Sequence, residues 1–200
     1  MAITINGGTG VITGVSVGGL PDGIVDADMM ASGVVTGVKQ VVHAGLTTTP
    51  STSSTTLTAT GLTASITPSA TTSKIQIHVH LPVSVESNQN TGFVRFRLYR
   101  DSTAIGTVGT GASGNQLNVQ WHTAFYIHST DNYEEYGMQN FTGFFVDSPS
   151  STSAITYSVK WAKAASSSGN ALLNRVWAND DGNYLFNGAS TIMLTEVDNG

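Results

Sequence analysis

The 200-residue chain has no cysteine. That excludes disulfides, thiolate metal sites and a cysteine nucleophile. Stability must then come from a packed core or from oligomerisation. Charge is scarce too: only 10 % of residues are Asp, Glu, Lys or Arg, against about 25 % in average globular domains. The 8 basic residues are outnumbered by 13 acidic ones, for a net charge of −5. Such a balance offers no phosphate-binding surface, so no nucleic-acid partner is expected. No apolar run approaches the roughly 20 residues that span a bilayer, and no membrane insertion is expected. The start, Met1-Ala2-Ile3-Thr4-Ile5-Asn6, has neither the basic n-region nor the long apolar h-region of a signal peptide. The expectation is a protein made in the cytoplasm and carried out, if at all, by something else.

Serine and threonine fill the place of charge, with 22 Ser and 27 Thr, and there are 22 Gly. Thr and β-branched apolar residues suit pleated strands, whereas Gly and Ser suit turns. Composition therefore points to an all-β protein, large enough for one domain with an appendage.

The chain divides by character near residue 38. Residues 1–38 hold nine glycines, no aromatic residue and no Lys or Arg. Apolar residues come in short pairs: Val11-Ile12, Ile24-Val25, Met29-Met30 and Val34-Val35. No helix or strand period lasts long enough to build a core, although Asp26 to Ala31 fits one helical turn capped by Asp26 or Asp28. The expectation is an extended Gly-rich arm that orders only against a partner. Ile3, Ile5, Val11, Ile12, Leu20, Pro21, Ile24 and Val25 are its candidate anchoring residues, with Pro21-Asp22-Gly23 as a turn.

Residues 39–200 read as about eight strands with no helix. The clearest runs from Lys74 to Glu86, where Ile75, Ile77, Val79, Leu81, Val83 and Val85 alternate with Lys74, Gln76, His78, His80 and Ser84. That is a half-buried strand, and Pro82 marks an edge or bulge. Phe93 to Arg100 alternates as well, with Val94, Phe96 and Leu98 against Arg95, Arg97 and Tyr99. Further strands are expected at 39–46, 62–67, 118–128, 138–146, 154–163, 172–177 and 191–197, with turns at 101–103 and 147–151. In the last strand Ile192 and Leu194 point one way, Met193 and Val197 the other. Apolar residues on both faces predict a central strand buried at a subunit contact. The pattern predicts a jelly-roll β-sandwich head.

Several groups carry candidate chemistry. His78 and His80 share a strand face at a spacing that suits one metal, but no third ligand is near, and a polar strand face accounts for them. Serines with His43, His122 or His128 and Asp131 or Asp147 offer nominal triads. No Gly-x-Ser-x-Gly elbow is present, and so many serines generate such triples by chance. Asp180-Asp181-Gly182-Asn183 lacks the ligand series of a calcium loop and reads as a turn. The adjacent Glu134-Glu135 fit a solvated loop. Gly7-Gly8-Thr9-Gly10 has no strand–helix unit around it to bind a dinucleotide. Arg95 and Arg97, beside Tyr99, can grip an acidic patch on a neighbouring subunit or face solvent. Trp121, Trp161 and Trp177 with Tyr126, Tyr133 and Tyr136 form a nominal sugar-stacking set. Phase assigns Trp121 and Trp161 to the core and leaves Tyr133 and Tyr136 as receptor-contact candidates. No catalytic residue, cofactor or metal site is expected.

The opening segment, Ile5-Asn6-Gly7-Gly8-Thr9-Gly10-Val11-Ile12-Thr13-Gly14 running into Val17-Gly18-Gly19-Leu20-Pro21-Asp22-Gly23-Ile24-Val25-Asp26, resembles the N-terminal segments of fibre-like virion proteins of tailed phages, especially marine ones. Phe96-Arg97-Leu98-Tyr99-Arg100-Asp101, Ile105-Gly106, Asp147-Ser148-Pro149, Ile155-Thr156-Tyr157-Ser158-Val159 and Ser190-Thr191-Ile192-Met193-Leu194-Thr195-Glu196-Val197 are similar to the C-terminal jelly rolls of such fibres, a fold shared with trimeric C1q and tumour-necrosis-factor heads. The resemblance implies a non-enzymatic structural protein on the virion surface: a homotrimer that is a capsid decoration, a head fibre or a short tail fibre. It would attach through residues 1–38 to other virion proteins, with Ile192, Met193 and Leu194 at the trimer contact. The alternative is a receptor- or carbohydrate-binding module of a tail fibre that meets a host-surface glycan. Fewer than 40 residues precede the head, which favours the capsid over a long-stalked tail fibre.

Overall fold

The computed structural model of the chain describes residues 4–6, 11–13, 37–86, 92–110, 119–125, 137–164, 169–178 and 187–197. Contacts divide it into two units at Gly37/Val38. In the first unit, β1 (Thr4–Asn6) pairs antiparallel with β2 (Val11–Thr13), Ile5 lying opposite Ile12. Three residues per strand are too few for a period to be read from the sequence.

The second unit is all-β. It comprises β3 (Val38–Leu46), β4 (Ser51–Thr52), β5 (Thr58–Ile66), β6 (Lys74–Val85), β7 (Gly92–Arg100), β8 (Thr103–Ala104), β9 (Trp121–Phe125), β10 (Gln139–Asp147), β11 (Ile155–Lys163), β12 (Ala171–Leu173) and β13 (Ser190–Val197). Val38, assigned to the arm by composition, is the first residue of β3 and sits opposite Val197.

The pairing is nested. Among the longer strands the outermost, β3 and β13, pair with each other, then β5 with β11, β6 with β10 and β7 with β9, all antiparallel. This is a long hairpin rolled on itself, the jelly roll. Cross-links from β6 to β13 and from β7 to β11 complete two sheets, β3-β13-β6-β10 and β5-β11-β7-β9. The short β12 and β4 extend the first sheet beyond the end of β13, and β8 pairs with β7.

Alternation determines which side of each sheet is dry. Leu62, Ala64 and Ile66 of β5, Ile75 to Val85 at odd positions of β6, Val94, Phe96 and Leu98 of β7, Ile155 to Trp161 at odd positions of β11, and Ile192 and Leu194 of β13 are all buried in one cluster. An aromatic stack joins the sheets: Phe96 of β7 lies 5.1 Å from Phe141 of β10, and Trp121 of β9 lies 5.8 Å from the same ring. Gly143 makes room for it, because a Cβ there would come within 3.0 Å of the Trp121 ring. Trp161 is buried in the core and Trp121 packs against it, as their phase predicts.

Pro82 lies on no edge. Strand β6 has β10 along one side, and on the other β13 pairs up to His80 while β12 begins at Val83. Pro82 falls in that gap, where its carbonyl accepts the N–H of Asn174 at 2.9 Å. The missing donor points where no ladder partner asks for it. Asn174 is itself buried in the left-handed region (φ 62°) and fully bonded. Its amide donates to the carbonyls of Leu46 and Thr48, each at 2.8 Å, and its side-chain oxygen accepts from Ser190 at 2.7 Å.

Strand β5 begins at Thr58, four residues before the expected start at 62. The Ser/Thr-rich lead-in hides its alternation, although Thr60 is buried and donates to the Val159 carbonyl at 2.8 Å.

Candidate functional site

The sandwich has two outer sheet faces, and they differ in chemistry. On the β3-β13-β6-β10 sheet, register lines up residues in rows of four. One row is His43, Met193, His78 and Phe144; the next is Val41, Thr195, Gln76 and Val146; the third is Gly45, Thr191, His80 and Thr142. None of these twelve is Asp, Glu, Lys or Arg. Val41 is 55 % exposed, Phe144 52 %, Val146 42 % and Met193 36 %. His78 packs its ring 4.7 Å from that of Phe144. Lys74 lies at the rim and donates to Ser148 at 2.7 Å. Val41, Met193, Phe144 and Val146 are spread over three strands, with Thr195, Gln76 and His78 between them.

This face revises the expected trimer contact. β13 is central, between β3 and β6, but Ile192 and Leu194 are buried within the chain's own core and cannot meet a sister chain. Of the three named residues, Met193 alone faces outward. Its cross-strand neighbours are His43 and His78, and Phe144 lies beyond His78 in the same row.

The other sheet shows a basic face. Arg97 lies opposite Lys160 and Arg95 opposite His122, with Tyr99 opposite Ser158. Lys160 Nζ sits 4.0 Å above the Tyr99 ring.

Buried polar groups are structural ties. Asp147, at the end of β10, accepts Tyr157 Oη at 2.7 Å and Arg100 Nη1 at 3.0 and 3.2 Å, which joins the two sheets. Burial, and then the hydrogen bond to Asp147, push the Tyr157 phenol well above its ordinary range. Among the described residues the partners of Asp147 are Arg100 and Tyr157, with no histidine. Glu196 is buried and accepts four hydrogen bonds: from the Ser69 N–H at 2.7 Å, and from Ser69 Oγ, Ser73 Oγ and Gln40 Nε2, each at 2.6 Å. Burial works to raise its pKa, but the donors from Ser69, Ser73 and Gln40 outweigh it and hold the carboxyl at about 2.

Among the described residues no group of three His, Asp or Glu side chains is placed to hold a metal. His78 and His80 both face outward from β6, beside Phe144 and Thr142. Trp177 is half-buried near β12. Ile3, Leu20, Pro21, Ile24, Val25, Asp26, Asp28, Tyr126, His128, Asp131, Tyr133, Glu134, Glu135, Tyr136, Asp180 and Asp181 lie outside the described residues. Sequence reading missed the apolar rows, Glu196 and the Lys160 partner of Arg97. The alternation of β10, with Phe144 and Val146 opposite in phase to Phe141, Gly143 and Phe145, was the available signal for the first of these.

No protein-family model matches the chain, and no curated protein matches it.

Proposed function

We propose that the chain is a structural protein of a tailed-phage virion: a trimeric surface protein, either a capsid decoration or head fibre or a short tail fibre, attached to other virion proteins through its N-terminal arm. The observation that carries this reading is the uncharged outer face of the β3-β13-β6-β10 sheet, on which Val41, Phe144, Val146 and Met193 are exposed. Four large apolar side chains exposed on one uncharged sheet face favour a covering surface. Copies with a net charge of −5 each can approach through such a face without burying like charges. The resemblance of residues 5–26 and of the head strands to phage fibres supplies the virion setting.

The test is the oligomeric state. Light scattering of the full chain is expected to give three times 20.8 kDa. The double variant Met193→Asp/Phe144→Asp is expected to give a folded monomer with its circular-dichroism spectrum kept. A wild-type monomer at micromolar concentration overturns the trimer. A variant that remains trimeric moves the contact to another surface.

Attachment is tested separately. Because β3 starts at Val38, the truncation removes residues 2–36, which leaves the strand whole. The head is expected to fold and to lose binding to particles that lack the protein. Occupancy equal to that of the full chain would place attachment on the head.

A further inference from the structure

The outer face of the β5-β11-β7-β9 sheet joins three of the chain's eight Lys and Arg residues. Val94, Phe96 and Leu98 are fully buried, so Arg95, Arg97 and Tyr99 lie on the opposite side of β7. Register then sets Lys160 beside Arg97 and His122 beside Arg95. No acidic residue lies among them on the described part of this face. Asp101, beyond the end of β7, accepts the Thr156 N–H on Oδ1 at 3.0 Å. Arg97 Nε is buried with no hydrogen-bond partner among the described residues. In an acidic protein, a cluster of cations with no counter-charge among the described residues is not explained by folding.

We propose that this face is a binding site for an acidic polysaccharide, one carrying carboxylate or sulfate groups, with Arg95, Arg97 and Lys160 as its anion-holding residues. The site goes beyond the assembly reading and does not depend on it. The planar forks of the two arginines suit two-point contact with a carboxylate or sulfate. Tyr99 and Ser158 add hydroxyls suited to sugar ring oxygens. β7 and β11 are paired on both sides, so neither offers an edge for an added peptide strand. The described part of the face also lacks the apolar anchors at the centre of protein interfaces, whereas the opposite sheet exposes Val41, Phe144, Val146 and Met193. Three cations fall short of the roughly six to ten phosphate contacts of a nucleic-acid protein.

The experiment measures binding of the full chain to heparin, polygalacturonate, neutral dextran and single-stranded DNA at low salt. The expected result is binding of heparin or polygalacturonate that weakens with salt, no binding of dextran, and weaker binding of DNA. Arg95→Gln and Lys160→Gln together are expected to lower the polysaccharide affinity by about tenfold or more. Lys74→Gln, which removes one charge at the rim of the other sheet, is expected to leave it unchanged. Each variant is checked for an unaltered melting temperature and oligomeric state. Failure to bind either charged polysaccharide, DNA binding as tight as theirs, an affinity that the Arg95/Lys160 pair does not alter, or an equal loss in Lys74→Gln overturns the site. None of these outcomes bears on the trimer, which the scattering measurement tests by itself.

Discussion

Glu196→Ala is expected to destabilise the head by about 4 kcal/mol, the largest effect of any single polar substitution discussed for this chain. Removing the carboxylate leaves the Ser69 N–H and the donors of Ser69, Ser73 and Gln40 without their acceptor. Each buried donor left unpaired costs about 1–3 kcal/mol. Ser73 is fully buried, whereas Ser69 and Gln40 reach water and recover part of the loss. The tie joins β3, the link between β5 and β6, and β13, so its loss loosens one end of the sandwich at three places.

The same carboxylate makes stability depend on acid. Its pKa lies near 2 in the folded chain against an ordinary 4.5. A depressed pKa contributes stability above the unfolded value and loses it as pH falls through the folded one. Each tenfold shift in proton affinity is worth about 1.4 kcal/mol, so about 3 kcal/mol is present at neutral pH and disappears between pH 4.5 and about 2. Urea unfolding midpoints of the wild type are expected to drop across that window, with those of Glu196→Gln lower at neutral pH and flatter in acid. Parallel profiles for the two proteins would exclude Glu196 as the source.

Asp147→Ala is expected to cost about 3 kcal/mol. It leaves the buried Tyr157 hydroxyl without an acceptor and the Arg100 guanidinium without its counter-charge. Tyr157→Phe, which leaves Asp147 its arginine, is expected to cost only about 1 kcal/mol. Thermal melts of the two variants and of the Asp147→Ala/Tyr157→Phe pair form a cycle. The double variant is expected to be less destabilised than the sum, because Tyr157→Phe removes one of the donors that Asp147→Ala leaves unpaired. Strict additivity would mean that the hydroxyl finds another partner. Tyr157 also sets an alkaline limit: above about pH 10 the unfolded chain gains by ionising the phenol, and the folded chain does not.

Much of this architecture is legible in the chain as written. A side-chain period of two is a property of one strand alone, so β6, β7 and β11 declare themselves and their dry faces through Ile75, Phe96 and Trp161 without knowledge of their partners. Turn residues mark where strands stop: Asp101, at φ 52°, takes the left-handed conformation that Asp tolerates. The all-β class, the jelly-roll expectation and the division near residue 38 rest on such local signals. Pairing is not local. That Met193 lies between His43 and His78, and that His78 meets Phe144 sixty-six positions away, follows only from register. One residue of slip would turn each of those side chains to the other face. The same holds for Arg97 beside Lys160 and for the four donors that converge on Glu196, which the strand pattern leaves as a lone acid in an apolar run. Sequence therefore determined which side chains of each strand are wet or dry. The tertiary structure alone decided which wet side chains share a surface, because juxtaposition across strands depends on the order and register in which the nested hairpin rolls up.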